Sequence, residues 1–161
     1  MVNLRRKLEK FYDHYCQQLF TYALSITRRH DLSEDAIHNA FSKLLTIKES
    51  PQNLKVYVFR SVRNSAIDLV RKEKHQGEPL EPLVFSDSPN PRETSEMVEF
   101  KKMVKNALIN LSEEERETIV LHLYADLTFR EIAEMREISM NTIMSWYRRG
   151  MEKLRKELEK S

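Results

Sequence analysis

Asn141, Thr142, Ser145, Arg149 and Lys156 fall on one side of a segment that, wound at about 100° per residue, gathers Ile143, Tyr147, Met151, Leu154 and Leu158 on the other. Arg148 stands beside the polar set. These side chains suit the edges and backbone of a nucleic-acid duplex: Arg can donate to guanine or to phosphate, Asn can pair with adenine, and Ser can serve either. A solvated helical face with i,i+4 ion pairs would read the same way, so the surrounding elements must decide. A second set lies upstream. Over residues 53–74, Leu54, Val58, Val62, Ala66 and Leu69 form an apolar stripe, and Arg60, Arg63, Asn64, Ile67, Arg71 and Lys74 gather opposite it. Basic groups can hold the phosphates of a separated strand, while apolar and aromatic groups can stack on unpaired bases. Tyr57 and Phe59 are the nearest aromatics, as stacking surfaces or as ordinary core.

Other chemistry finds little support. The five histidines, His14, His30, His38, His75 and His122, have no metal-ligand spacing with Cys16, and there is no Gly-rich phosphate loop or nucleophile arrangement. Glu113, Glu114 and Glu115 read as the acidic first turn of a helix rather than as acid-base catalysts. No catalytic residue, metal or cofactor is expected. Cys16 has no activating His or Asp beside it and reads as a small core residue.

The 161 residues carry a net charge of +2, unevenly spread. Residues 1–75 hold 14 Lys and Arg against 8 Asp and Glu, residues 76–100 hold 1 against 6, and residues 101–161 hold 12 against 11. The acidic stretch QGEPLEPLVFSDSPNPRE also contains four of the five prolines and one of the two glycines, which disfavour a packed helix and mark a flexible linker. Expected boundaries are therefore a domain at 1–75, a linker at 76–92 and a second domain at 93–161. No apolar run approaches the ~20 residues of a membrane span. The mixed polar residues after Arg5, Arg6 and Lys7 do not form a secretory signal. A cytoplasmic protein with no membrane insertion is the expectation.

Both flanks of the linker read as helix. Leu4, Leu8, Phe11, Tyr15, Leu19, Tyr22 and Ile26 trace one face of a long first helix. Asp31 with Glu34 opens a second helix to about Ile47, and Ser50-Pro51 opens a third. Beyond the linker, Asn90-Pro91 with Glu93, Ser112 with Glu115, Thr128 with Glu131, and Ser139 mark four more helix starts. The fold class is all-α, in two small domains. Within LTFREIAEMREISMNTIMSWYRRG, Leu127 to Gly150, a short helix, a break and a longer helix have the shape of a helix-turn-helix. Ile132, Ala133 and Met135 form its packing side, and Ile138 plugs the turn.

The run LSEEERETIVLHLYADLTFREIAEMREISMNTIMSWYRRGMEKLRKEL, Leu111 to Leu158, resembles the promoter-binding C-terminal domain of bacterial sigma factors. DLSEDAIHNAFSKLL, Asp31 to Leu45, resembles the sigma helix that docks on the RNA polymerase clamp. VYVFRSVRNSAIDLVRKEK, Val56 to Lys74, resembles the helix that melts and reads the promoter element near the start site. Two such domains in order, with no further region between them, resemble the extracytoplasmic-function class.

That resemblance implies a transcription initiation factor whose partners are core RNA polymerase, promoter DNA and an anti-sigma protein. It implies polymerase docking through Asp35, His38, Asn39, Ser42 and Lys43. It implies −10 element contact through Glu49, Gln52 and Asn53 of the specificity loop, with Tyr57, Arg60, Arg63, Asn64, Ile67, Arg71 and Lys74. Arg130, Asn141, Thr142, Ser145, Arg148 and Arg149 would meet the −35 element.

Four residues depart from the family pattern. His38 replaces a common Gln, Glu137 replaces a common Gly in the turn, and Met144 and Trp146 replace common basic residues. Met144 and Trp146 lie at the edges of the core face, where packing is the expected role and base or sugar contact the alternative. Two other functions fit the same features: a stand-alone helix-turn-helix regulator, and a sigma mimic that sequesters an anti-sigma protein.

Overall fold

Apolar stripes repeating every three or four residues cannot be left in water, and each helix here is placed by what covers its stripe. The computed structural model describes residues 3–75, 91–92 and 94–160. Seven α-helices account for most of them: α1 (Leu4–Thr27), α2 (His30–Leu44), α3 (Leu54–His75), α4 (Ser95–Ile109), α5 (Glu113–Ile119), α6 (Phe129–Arg136) and α7 (Met140–Glu159). A π turn, Val120–Tyr124, continues α5. The described residues contain no strand. The linker expected at 76–92, and the cap assigned to Asn90 and Glu93, fall almost wholly outside the described residues; α4 starts at Ser95.

Helices α1, α2 and α3 pack on one another around Leu8, Leu19, Tyr22, Ala40, Leu44, Val58, Phe59 and Val62. Phe59 is fully buried, with the rings of Phe11, Tyr15 and Tyr22 at 6.3, 6.2 and 5.8 Å. It is therefore a core residue, and Tyr57, half-buried, is the aromatic left nearer the surface. In the C-terminal half, α7 is the hub for α4, α5 and α6. His122 stacks on Phe129 at 4.1 Å and meets Tyr147 edge-on at 5.0 Å, which ties the π turn to both helices of the helix-turn-helix. Gly150 is buried where α7 crosses α5: a Cβ there would lie 2.6 Å from Ile119 Cδ1 and 3.3 Å from Glu115 Cβ.

Local signals were obeyed unevenly. Ser112 and Glu115 form a complete capping box, as do Thr128 and Glu131, and the Ser139 hydroxyl accepts from the Thr142 amide. Two starts moved. Asp31 does not cap α2, because Arg28 closes α1 in the left-handed region (φ 59°) and the chain re-enters a helix at His30; the Asp31 carboxylate instead takes the Arg29 guanidinium at 2.6 Å. Helix α3 starts at Leu54, not at Pro51, because Asn53 Oδ1 accepts the Val56 amide and supplies the cap. Cys16 is exposed on α1, contrary to its reading as core. Glu137 adopts the left-handed conformation (φ 54°) that glycine would take more cheaply, so the turn keeps its geometry and carries the strain.

Replacing Ser112 with Ala is expected to cost about 1 kcal/mol, since it unpairs the Glu115 amide at the head of α5. Thermal denaturation followed by circular dichroism should show the melting temperature fall, and no change would mean that the cap contributes nothing.

The sequence treats the two halves as separate domains, but their cores are continuous. Val120, Leu121, Ala125, Leu127, Ile132, Met135 and Ile143 belong to the same buried cluster as Leu8, Tyr22 and Phe59. Helix α6 lies against α3, and α5 with its π turn lies against α1.

Candidate nucleic-acid interface

Three surfaces carry the residues singled out from sequence. On α2, Asp35, His38, Asn39, Ser42 and Lys43 are all exposed and share the outer side of the helix, while Leu32, Ala36, Ile37, Ala40 and Leu44 face the core. A groove between α1 and α2 runs beside them, lined in part by Tyr12, Cys16, Phe20, His38, Phe41 and Leu45.

On α7, Asn141, Arg148 and Arg149 are exposed, Thr142 and Ser145 are half-exposed, and Arg130 is exposed at the head of α6. Thr142 is partly occupied at the cap, its hydroxyl 2.9 Å from the Ser139 hydroxyl. Ile143 and Leu154 are buried beneath, with Tyr147 and Met151 packed on the core. Met144 departs from its expected packing role: it is 44% exposed, on the outer side of the helix. Trp146 does pack, half-buried against the core, with the Arg136 guanidinium 5.4 Å from its ring centre.

The third surface, on and around α3, is divided. Glu49, Gln52, Asn64, Arg71 and Lys74 are exposed, and Tyr57 and Ile67 are half-buried. Asn53, Arg60 and Arg63 are instead engaged by the C-terminal half. Asn53 Nδ2 donates to Glu131 Oε2 at 2.9 Å, so the glutamate that closes the α6 capping box also ties the two halves. Arg60 donates to the last carbonyls of α6, from Nη2 to Glu134 O at 2.6 Å and from Nε to Met135 O at 3.2 Å. A cation at a helix C-terminus is favoured by both the unpaired carbonyls and the helix dipole. Lys55 Nζ donates to Asp126 O at 2.8 Å.

Glu117 is the focus of the rest. Its Oε1 accepts from Tyr22 Oη at 2.7 Å and from Arg63 Nε at 2.8 Å, and its Oε2 accepts from Arg136 Nη1 at 2.8 Å. Burial raises the Tyr22 phenol well above its usual range, and the adjacent carboxylate raises it further, so Tyr22 stays a neutral donor. Burial pushes the Glu131 carboxyl up, but the Thr128 amide, Asn53 and the Lys55 charge outweigh it and hold it below the usual range. No buried side-chain nitrogen or oxygen among the described residues lacks a partner.

Sequence reasoning missed Glu117 and Tyr22 as polar partners. A signal for Glu117 existed: it lies three and four residues before Val120 and Leu121, which places a carboxylate on a buried stripe, where a charge must be paired.

Comparison with known families and proteins matches both halves. Sigma-70 region 2 matches residues 11–76 and Sigma-70, region 4 matches residues 101–154. SigM of Bacillus subtilis, an extracytoplasmic-function RNA polymerase sigma factor, is 25% identical over 151 residues, covering 92% of this chain and 93% of its own. RpoE of Cereibacter sphaeroides, of the same class, is 27% identical over 129 residues, 80% of this chain and 71% of its own. A solved structure of the sigma factor RpoE in complex with the anti-sigma factor NepR, from Bartonella quintana, superposes with a TM-score of 0.77 at 22% identity. It covers 96% of this chain and 98% of that one, and so supports the fold.

Proposed function

This chain belongs to the sigma-70 family, in its extracytoplasmic-function class, and from that premise we propose that it binds core RNA polymerase, recognises and melts promoter DNA, and directs transcription initiation. The observation that carries the reading is the order of the two matched regions on one helical chain: a basic α3 face in the first and a helix-turn-helix in the second. We assign residues 1–75 to polymerase docking and −10 melting, 76–92 to the linker and 93–161 to −35 contact. The outer side of α2, with Asp35, His38, Asn39, Ser42 and Lys43, is the docking surface. Bond-making stays with the polymerase, so the chain has no catalytic residues of its own and works where the chromosome is, in the cytoplasm. An anti-sigma protein is the further partner, by analogy with the Bartonella sigma factor solved in complex with the anti-sigma factor NepR. No described helix is long and apolar enough to cross a membrane.

Reconstitution with core polymerase, followed by sequencing of transcripts from a genomic DNA library, tests the reading. Discrete start sites that need both components are expected. Tight duplex binding without polymerase and no transcripts would point to a stand-alone regulator. Neither activity, with capture of an anti-sigma protein, would point to a mimic.

The C-terminal domain should read upstream DNA mainly through its backbone. Phosphate contacts position a domain, whereas each bidentate base contact discriminates by about 1–3 kcal/mol. Arg148 and Arg149 are exposed and Met144 adds no charge or bidentate pair. Arg149→Ala should therefore weaken many upstream sequences together and flatten the salt dependence by about one phosphate contact. Transcription from promoters with a randomised upstream element checks this, and relaxation at one base position alone would show direct reading instead.

A further inference from the structure

A buried charge is costly unless it is paired, and Arg116 of α5 is buried without a carboxylate. It is 4% exposed, and no Asp or Glu among the described residues forms an ion pair with its guanidinium. Its Nη1 donates to Leu108 O at 3.4 Å and to Leu111 O at 3.2 Å, at the end of α4. Nε and Nη2 have no acceptor among the described residues. Since no buried side-chain nitrogen there lacks a partner, these two are not sealed in. They open on a cavity of about 270 Å³ that Arg116 lines together with Ile26 of α1 and Arg63, Val70 and Lys74 of α3. We infer that this cavity binds a small free anion carrying one or two phosphate groups, held by Arg116 and Lys74. The inference goes beyond the promoter reading and does not depend on it.

The charges around the cavity favour an anion. Lys74 is exposed near the end of α3 and has no carboxylate partner among the described residues. Two carboxylates stand in the wall, Glu113 and Glu117. Glu117 is already balanced, by Arg63 and by Arg136 at 2.8 Å each, which leaves exposed Glu113 as the one opposing charge. Burial pushes the Arg116 guanidinium down from its usual range, the Arg28 charge pushes it further the same way, and Glu113 pulls against both. An anion in the cavity would relieve the first two. Phosphate suits these donors better than a carboxylate does. A planar guanidinium fork on α5 and a compact ammonium on α3 approach from different elements, which a tetrahedral oxyanion accepts and a planar one does not. The volume lies just below the roughly 300–1,000 Å³ of pockets for larger ligands, so the ligand is small.

The test titrates pyrophosphate into the full chain at constant ionic strength, with binding read by calorimetry for wild type, Lys74→Ala, Arg116→Lys, Glu113→Gln and Lys72→Ala. Arg116→Lys keeps the charge and removes the fork. Lys72 is exposed on α3 outside the cavity, so its loss controls for bulk charge. A short oligothymidylate is titrated into wild type and Arg116→Lys in parallel, because a DNA backbone carries the same phosphate chemistry as a free anion.

One saturable site is expected. Lys74→Ala should weaken it about tenfold, the usual effect of losing one charge-assisted contact, and Arg116→Lys by at least as much. Lys72→Ala should change it by less than about twofold. Glu113→Gln should tighten it, since the opposing carboxylate is gone. Absence of a saturable site overturns the inference. So does equal weakening by Lys74→Ala and Lys72→Ala, which would mean diffuse attraction, and so does weakening by Glu113→Gln. If oligothymidylate binding falls by the same factor as pyrophosphate binding in Arg116→Lys, the site belongs to the DNA backbone and the free-anion inference fails. Arg116→Lys is checked for folding by circular dichroism, because Arg116 also holds the end of α4. Lys74 and Glu113 are exposed and bear no such contact, so their variants keep the test decisive if Arg116→Lys unfolds.

Discussion

Phe59→Ala lowers the stability of the whole chain by about 3–5 kcal/mol, the usual cost of emptying a fully buried aromatic site. Against a total of about 5–15 kcal/mol for a folded domain, that is enough to leave a sizeable unfolded fraction at growth temperature. The size follows from the neighbours: Phe11, Tyr15 and Tyr22 all present their rings to Phe59, and none can fill the space without breaking its own contacts. The form of the loss is as informative as its size. Tyr22 touches Phe59 on one side and holds Glu117 on the other, and the buried cluster runs on to Leu121 and Ile143. Urea unfolding followed both by circular dichroism and by Trp146 fluorescence should therefore show the two probes moving together to lower denaturant. A Trp146 transition that stays where it was in the wild type would mean that the C-terminal domain holds itself up, and that the continuous core does not couple the halves.

Removing Arg60, Asn64 and Arg71 together should cost roughly a hundredfold in open-complex formation. Two charge-assisted contacts at about 1.5 kcal/mol each already amount to that factor. The measurement is permanganate reactivity of unpaired thymines on duplex promoters with holoenzyme, alongside transcription from a template melted beforehand. The pre-melted template should restore much of the activity, because the variant's defect lies in capturing a strand that must first leave its partner. Equal loss on both templates would argue against a melting role. Arg60→Ala also removes the contacts with the α6 carbonyls, so the stability of the variant is measured alongside.

The all-α class and the capping boxes at Ser112 and Thr128 were legible because they depend on local spacing alone. The buried faces of α3 and α7 were legible for the same reason: Val58, Val62, Ala66, Ile143 and Leu154 follow the helical repeat. The starts of α2 and α3 were misread where a neighbour decided the matter, Arg28 by closing α1 in the left-handed region and Asn53 by capping one step further on. Cys16 and Met144 were misread because an apolar type near a stripe is not always under a neighbouring helix; both are exposed. The candidate site was legible as a set of residue types on α2, α3 and α7. What it meets was not, since Arg60 and Arg63 find partners 54 to 75 positions away, beyond any local pattern.

Gly150 bears on what α7 can become. Its missing side chain lets α7 rest on Ile119 and Glu115, one of the contacts, with those to α4 and α6, that hold the roll of the helix about its own axis. Asn141, Ser145, Arg148 and Arg149 are thus aimed from behind, by an atom that is not there. Adding one methyl group at Gly150 would have to push Ile119 aside or turn the helix by a few degrees, swinging every outward side chain in the same sense. On the proposed reading of α7, promoter preference would then change without altering a single residue of its exposed face, and a screen confined to that face would never find it.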